Sequence, residues 1–193
     1  MIKQCLWIPR LETKRLILRK LDMEDADDLQ TWLWRPEVYT YWGTPLGKGE
    51  HDARKLFIDP RPHVKRKPSH DFIWGVELRE SNKVIGILEV FDVVNDQIGT
   101  VGYRISPDLW NQGICTEAMR RVVDFIFTET TIQRLHAEAD VENSGSNAVL
   151  RKAGFVYEGC IRQGRMGSRY CSYNIYGLLR EDREQRACSQ EGV

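Results

Sequence analysis

The sequence predicts a mixed α/β (α+β) fold, a twisted mixed sheet of about seven strands flanked by helices, and two stretches carry that prediction. Val101 to Phe127 (VGYRISPDLWNQGICTEAMRRVVDFIF) passes from a strand through a short glycine-centred loop into an amphipathic helix. In that helix Ala118, Met119, Val122, Val123, Ile126 and Phe127 keep helical spacing, with Glu117, Arg120, Arg121 and Asp124 between them. Arg134 to Val141 (RLHAEADV) then alternates with period two, placing Leu135, Ala137, Ala139 and Val141 on one face before ENSGSNAVLRKAGF opens another helix. Two strands joined by one helix are parallel and connect through a right-handed crossover.

The remaining elements follow in order. Arg15 to Lys20 alternates as a first strand, and Asp22 is expected to cap a helix in which Ala26, Leu29 and Leu33 share a face. A second helix is predicted over Gly49 to Ile58, and the proline-punctuated Asp59 to Ser69 reads as a basic loop. Phe72 to Arg79, a Ser81-Asn82 turn and Val84 to Val93 form a hairpin; Asp96 to Ile105 is the strand that enters the glycine loop. In the helix after Val141, Ser144 or Ser146 serves as N-cap, Arg151 and Lys152 complement the C-terminal dipole, and Gly154 suits the C′ position. Phe155 to Ile161 and Tyr170 to Leu179 read as a last antiparallel pair across Gly164 to Ser168, and the polar tail, residues 181–193, is expected to be frayed or weakly helical. A length of 193 residues without a compositional break predicts one domain, residues 1–193.

Composition narrows the function classes. Lys plus Arg equals Asp plus Glu at 28 each, so no global field recruits nucleic acid or an anionic membrane. No apolar run reaches the ~18 residues of a membrane span, and MIKQCLWIPR is too short in its apolar part for a secretory signal, which leads to the expectation of a soluble cytoplasmic protein. Cys5, Cys115, Cys160, Cys171 and Cys188 lack metal-binding spacing and read as free thiols, and His51, His63, His70 and His136 are scattered, so no metal site is expected.

The glycine loop points to an anion site. A helix N-terminus carries backbone N–H groups without intrahelical partners and a partial positive charge, and Gly113 allows close approach and positive φ. The N–H groups from about Gln112 to Thr116 therefore read as a cradle for a diphosphate.

With these motifs the chain resembles the GNAT superfamily of acetyl-CoA-dependent N-acetyltransferases, and within it the RimJ/RimL branch, which includes enzymes acetylating protein N-termini. The family's pyrophosphate loop reads (Gln/Arg)-x-x-Gly-x-(Gly/Ala); here it is Trp110-Asn111-Gln112-Gly113-Ile114-Cys115. Trp110 with Thr116-Glu117-Ala118 is similar to the branch's own version, while Cys115 stands where a smaller residue is usual. A second block, Asn143-Ser144-Gly145-Ser146-Asn147-Ala148-Val149-Leu150 through Lys152, Gly154 and Phe155, resembles the family's Asn-x-x-Ser-x-x-Val-Leu-x-Lys-x-Gly-Phe. LETKRLILRKLDMEDADDL and KVIGILEVFDV resemble the branch's first strand and helix and its central strand, so the likeness runs from Leu11 to Arg180.

The resemblance implies acetyl-CoA as co-substrate and a primary amine as acceptor, most specifically a protein N-terminus. It implies a parallel strand pair splayed around the cofactor arm, with Tyr103, Arg104 and Ile105 facing residues Ala139 to Val141. Gln112, Gly113, Ile114, Cys115 and Thr116 would hold the diphosphate, and Asn143 and Asn147 would make polar contacts to the arm. For direct attack on the thioester it implies Ser146 as the acid that protonates the leaving thiolate, with Tyr157, Tyr170 and Tyr173 as weaker alternatives. The family's usual glutamate position is Thr100 here, so Glu89 is the substitute base, with Glu138, Asp140 or a water relay behind it. Trp32, Trp34, Tyr39, Tyr41 and Trp42 are available to wall the acceptor pocket, although core packing suits most of them. Arg61, Lys65, Arg66 and Lys67 are available to an acidic acceptor or ribosomal RNA, a solvated surface loop being the simpler reading. The alternatives are a polyamine or small-molecule acetyltransferase, or a catalytically silent acyl-CoA-binding module; monomer and homodimer both stay open.

Overall fold

The computed structural model describes residues 8–42, 72–167 and 169–183. In chain order the elements are β1 (Leu11–Glu12), β2 (Leu16–Arg19), α1 (Asp25–Trp32), α2 (Pro36–Tyr39), β3 (Phe72–Leu78), β4 (Lys83–Val94), β5 (Ile98–Ile105), α3 (Ile114–Glu129), β6 (Arg134–Asp140), α4 (Ser144–Ala153), β7 (Val156–Met166) and β8 (Arg169–Leu179). The strands form one sheet of 8, ordered β1-β2-β3-β4-β5-β6-β8-β7, antiparallel except for β5 and β6. The mixed fold matches the sequence reading, and the extra strand is β1, whose two residues pair with Leu18 and Ile17 and are too few to show alternation. The helix expected over Gly49 to Ile58 and the basic loop with Arg61, Lys65, Arg66 and Lys67 lie outside the described residues.

Helices cover both faces of the sheet. On one, α1 buries Leu29 and Trp32, followed by Leu33, against Val84 and Ile87 of β4, and the Trp32 indole donates to the Val84 carbonyl at 3.0 Å. On the other, α3 buries Ala118, Met119, Val122 and Ile126 in a larger cluster with Trp74, Leu88, Val90, Leu135 and Leu150. Asp22 does not cap α1. The helix starts at Asp25 after Glu24, and Asp22 Oδ1 accepts from the Glu24 N–H at 2.9 Å just ahead of it. Asp25 is held instead by Arg19, which donates to both of its oxygens at 2.8 Å and to Glu77 at 2.6 Å, so the start of the helix is tied to β2 and β3.

The pairing between β5 and β6 is short. Ile98, Gly99 and Thr100 stand opposite Arg134, Leu135 and His136, and beyond them the strands part. β5 stays with β4 as far as Ile105, and β6 stays with β8 as far as Asp140. The result is a wedge whose two inner edges, from Gly102 and from Ala137 onward, do not pair with each other. β4 carries a bulge between Phe91 and Val94, with Asp92 at φ 50°, opposite the closed base of this wedge. β7 extends past the predicted Ile161 because it is bulged near Gly159 and Gln163, which breaks the alternation a sequence pattern relies on. No helix among the described residues is long and apolar enough to cross a membrane.

Candidate active site

The wedge opens into a cleft of about 570 Å³ whose walls include Gly102 to Ile105 of β5, Gly113 to Thr116 at the start of α3, Ala137 to Asp140 of β6, and Asn143 to Ser146 at the start of α4. A 3-10 turn, Pro107–Leu109, leads from β5 to a loop with Asn111 at φ 60° and Gly113 at φ 73°. Gly113 is the N-cap of α3, and no side chain caps that helix. A Cβ at Gly113 would meet only the Arg15 guanidinium, at 3.7 Å, so it is the left-handed backbone rather than crowding that calls for glycine. Trp110 pins the loop to the strand by donating its indole N–H to the Ile105 carbonyl at 2.9 Å.

Behind the loop, Arg15 donates to the Gln112 carbonyl at 2.9 Å and to Glu117 Oε2 at 2.6 Å, while Thr13 Oγ1 donates to Glu117 Oε1 at 2.6 Å. Burial pushes the Glu117 carboxyl up, but the hydrogen bonds from Thr13 and Arg15 outweigh it and hold the group below its ordinary value. Gln112 itself does not line the cleft, because its side chain turns back to the Asp108 carbonyl at 3.2 Å. Ile114, Cys115 and Thr116 do line it. Cys115, the departure from the family pattern, packs against the main core, and burial pushes its thiol well up.

Two expectations about α4 need correction. Neither Ser144 nor Ser146 is the N-cap: Asn143 is, and its Oδ1 accepts from the Ser146 N–H at 3.0 Å. Asn147 does not offer its side chain to the cleft. It is buried, with Nδ2 donating to the carbonyls of Asp140 (2.8 Å) and Asn143 (2.7 Å), and Oδ1 accepting from Asn174 Nδ2 and Tyr176 Oη (both 2.7 Å). With its polar atoms spent inside, Asn147 stitches α4 to β6 and β8. Gly154 ends the helix in the left-handed conformation, φ 101°, as expected. Because Asn143 does the capping, the Ser146 hydroxyl is left for another partner and lies 2.7 Å from Tyr103 Oη.

Cross-strand register sorts the cleft into two faces. Ile87, Glu89 and Phe91 of β4 stand opposite Arg104, Gly102 and Thr100 of β5, and these share the face covered by α1. Tyr103 and Ile105 point to the α3 side. Glu89 is not itself a cleft wall, but its carboxylate lies over Gly102, which is; a Cβ on that glycine would sit 3.2 Å from Glu89 Oε1. Burial pushes the Arg104 guanidinium down, opposed by the Glu89 charge, and Arg104 stacks on the Trp42 ring at 3.7 Å.

The alternative residues separate as well. Asp140 is buried and paired with Arg169 at 2.6 Å, and its Oδ1 accepts from the Glu142 N–H at 2.8 Å, so its charge is already engaged. Glu138 lines the cleft 3.5 Å from His136. Tyr157, Tyr170 and Tyr173 are not among the cleft walls. Of the N-terminal aromatics, Tyr41 and Trp42 form cleft wall, whereas Trp32 is core and Trp34 donates to Gln30 at 2.9 Å.

A left-handed glycine before an uncapped helix and a parallel pair that parts around a cleft define an acyltransferase of the GNAT type. Residues 15–156 match the family described as acetyltransferase (GNAT) domain, and the chain belongs to that family, whose members use acetyl-CoA as acetyl donor. It is similar to the probable N-acetyltransferase YjcK of Bacillus subtilis, 30% identical over 91% of this chain and 99% of that protein. Among solved structures, a GNAT-family acetyltransferase from Bacillus anthracis superposes with a TM-score of 0.77 at 22% identity, covering 90% of this chain and 99% of that one. Two relatives carry named acceptors: a ribosomal-protein-serine acetyltransferase of Escherichia coli, 24% identical over 52% of this chain and 57% of its own length, and a Vibrio cholerae spermidine N-acetyltransferase in complex with CoA and spermine, 19% identical with a TM-score of 0.72 over 88% and 98%.

Proposed function

We propose that the chain transfers acetyl from acetyl-CoA directly to a primary amine, with a protein N-terminus as acceptor and a RimJ/RimL-like identity within the family. The carrying observation is that Ser146 lines the cleft while Glu89, on the opposite face of β5, lies over Gly102, a wall of the same cleft. That is the arrangement a proton acceptor for the amine and a proton donor for the leaving sulfur require. The branch assignment draws support from Trp110 and Thr116-Glu117-Ala118 in the loop and from the ribosomal-protein relative.

Bound acetyl-CoA supplies a thioester already activated for attack. The residues fit it: the N–H groups of the uncapped α3 start suit a diphosphate, and the unpaired inner edges of Tyr103 to Ile105 and Ala139 to Val141 suit the amides of an extended arm. Gly113, Ile114, Cys115 and Thr116 form the first site, and Asn143 flanks the second. Glu89 takes the proton that an acceptor ammonium must lose before it is a nucleophile, and Ser146 Oγ protonates the sulfur. Trp42 and Tyr41, with Arg104 stacked on the former, keep water from the reacting amine. Glu37, Glu138 and Glu142 also line the cleft and favour a cationic acceptor, which supports polyamine acetylation as the second reading.

An acceptor panel tests the proposal: peptides with free α-amines, spermidine and spermine, read by CoA release and by mass spectrometry of the product. Acetylation at a peptide α-amine supports the first reading, preference for the polyamines the second, and tight CoA binding without turnover a silent binding module. In the active case Glu89→Gln should lower the rate roughly 100-fold near neutral pH. Part of that deficit should return at higher pH, where more of the amine is already neutral. A variant equal to the parent at every pH removes Glu89 from the mechanism.

A further inference from the structure

The hydroxyl of Ser146 has a partner that the proposed reaction has not yet used. Tyr103 Oη lies 2.7 Å from Ser146 Oγ and can also donate to the Ser146 carbonyl at the longer distance of 3.3 Å, reaching from β5 to the first turn of α4. Its ring packs against the main core, and Cys115 and Tyr176 are near enough to act on its charge. At 2.7 Å one hydroxyl of the pair must donate to the other, and which one does so decides where the Ser146 proton points. If Ser146 donates to Tyr103, its proton faces the sheet and is lost to the chemistry. If Tyr103 donates, the Ser146 proton is free to turn into the cleft.

Two physical points favour donation by Tyr103. A phenol is the stronger donor and the weaker acceptor of the two hydroxyl types, because the ring withdraws electron density from its oxygen. Burial also holds the phenol far above its ordinary value, so it keeps its proton throughout the working range and never competes as a phenolate acceptor.

Resting on the reading of Ser146 as the acid, we infer that Tyr103 is a positioning residue: it donates to Ser146 Oγ, turns the serine proton toward the departing sulfur, and steadies the negative charge that grows on Oγ as that proton leaves. The balance closes without a further reactant. The C–N bond forms and the C–S bond breaks; the amine nitrogen gives up two protons, one through Glu89 and one that replaces the proton Ser146 has handed to sulfur. Tyr103 neither gains nor loses a proton in the cycle. The resemblance places Tyr103 on the strand edge that faces the cofactor arm, and its side chain thus gains a separate task.

The test is a double-mutant cycle on the whole chain, using acetyl-CoA with a short peptide bearing a free α-amine, and with spermidine as second acceptor. Ser146→Ala should slow kcat roughly 10- to 1000-fold, as expected for loss of one positioned proton donor. Tyr103→Phe removes one oxygen and keeps the ring in the core, and should lower kcat roughly 3- to 10-fold, the size of one neutral hydrogen bond felt in the transition state. The KM for acetyl-CoA should stay within about twofold, because a structural fault in the cleft would move KM as well. In the Ser146→Ala background, Tyr103→Phe should cost nothing further. Additive losses, or a Tyr103→Phe variant with the parent's kcat beside a slow Ser146→Ala, overturn the positioning role and leave Ser146 as the acid. A Ser146→Ala variant as fast as the parent removes the acid, and the role of Tyr103 falls with it.

Discussion

The helices α3 and α4 both begin at the cleft with backbone N–H groups that have no intrahelical partner, yet only one start is closed by a side chain. At α4, Asn143 accepts from the Ser146 N–H at 3.0 Å, and Asn147 ties the same turn down through four hydrogen bonds. At α3 the corresponding residue is Gly113, which has no side chain with which to cap. That start is braced from behind, where Arg15 and Thr13 grip Glu117 and Arg15 also holds the Gln112 carbonyl. With glycine at the cap position the missing side-chain bond costs only about a few tenths of a kcal/mol, which the burial of Met119, Val122 and Ile126 along α3 readily offsets. One start satisfies itself and presents a hydroxyl; the other keeps its N–H groups for an anion.

That contrast can be broken at three points. The largest effect is expected at the open start. Gly113→Val forces a β-branched residue into the left-handed region at roughly 1–3 kcal/mol, so the Kd for CoA, measured by calorimetry, should rise about 10- to 100-fold in a chain whose circular dichroism is unchanged. A folded variant that binds CoA as tightly as the parent would sink the assignment of α3 as the diphosphate site. Next comes the closed start, where Asn143→Ala should cost about 1 kcal/mol in urea unfolding and weaken CoA binding less than Gly113→Val does. If its effect on CoA exceeds its effect on stability, both starts serve the ligand and the contrast dissolves.

The smallest effect is expected at the brace. Glu117 has a folded value held below the ordinary 4.5, so it contributes stability that is fully present above 4.5 and lost as pH falls through the folded value. Glu117→Gln should therefore be less stable than the parent by up to about 1 kcal/mol at neutral pH, the ion pair being partly exposed, and the difference should shrink as the pH drops below 4.5. A gap that stays constant from neutral pH into strong acid would show that packing, and not charge, holds the brace.

The same two helix starts show what the sequence made legible. A lone glycine between an alternating strand and a strongly periodic helix has few readings, so the α3 start and the parallel β5–β6 unit could be anticipated. The α4 start has three residues with capping chemistry in Asn143-Ser144-Gly145-Ser146, and only the backbone path decides among them. The resemblance offers Asn147 to the cofactor arm; its burial depends on Asn174 and Tyr176 of β8, which no local pattern connects to it. The ion pair of Asp140 with Arg169 and the placement of Glu89 over Gly102 are likewise products of strand register, invisible until the sheet is assembled.

The sheet's margins have a practical consequence. An open strand edge is a template on which further chains can stack, and at both outer margins the main chain discourages it. Among the described residues one outer margin is only the two residues of β1, and the other, β7, is bulged at two places, which interrupts its ladder even though Val156, Tyr157 and Ile161 are exposed along it. The long unpaired main-chain edges run instead along the interior wedge between β5 and β6. The wedge can offer those backbone groups to a slender ligand without coming apart, since it is closed at its base by Ile98 to Thr100 and their partners on β6. The place where the sheet is left incomplete is thus the place where an extended ligand can complete it.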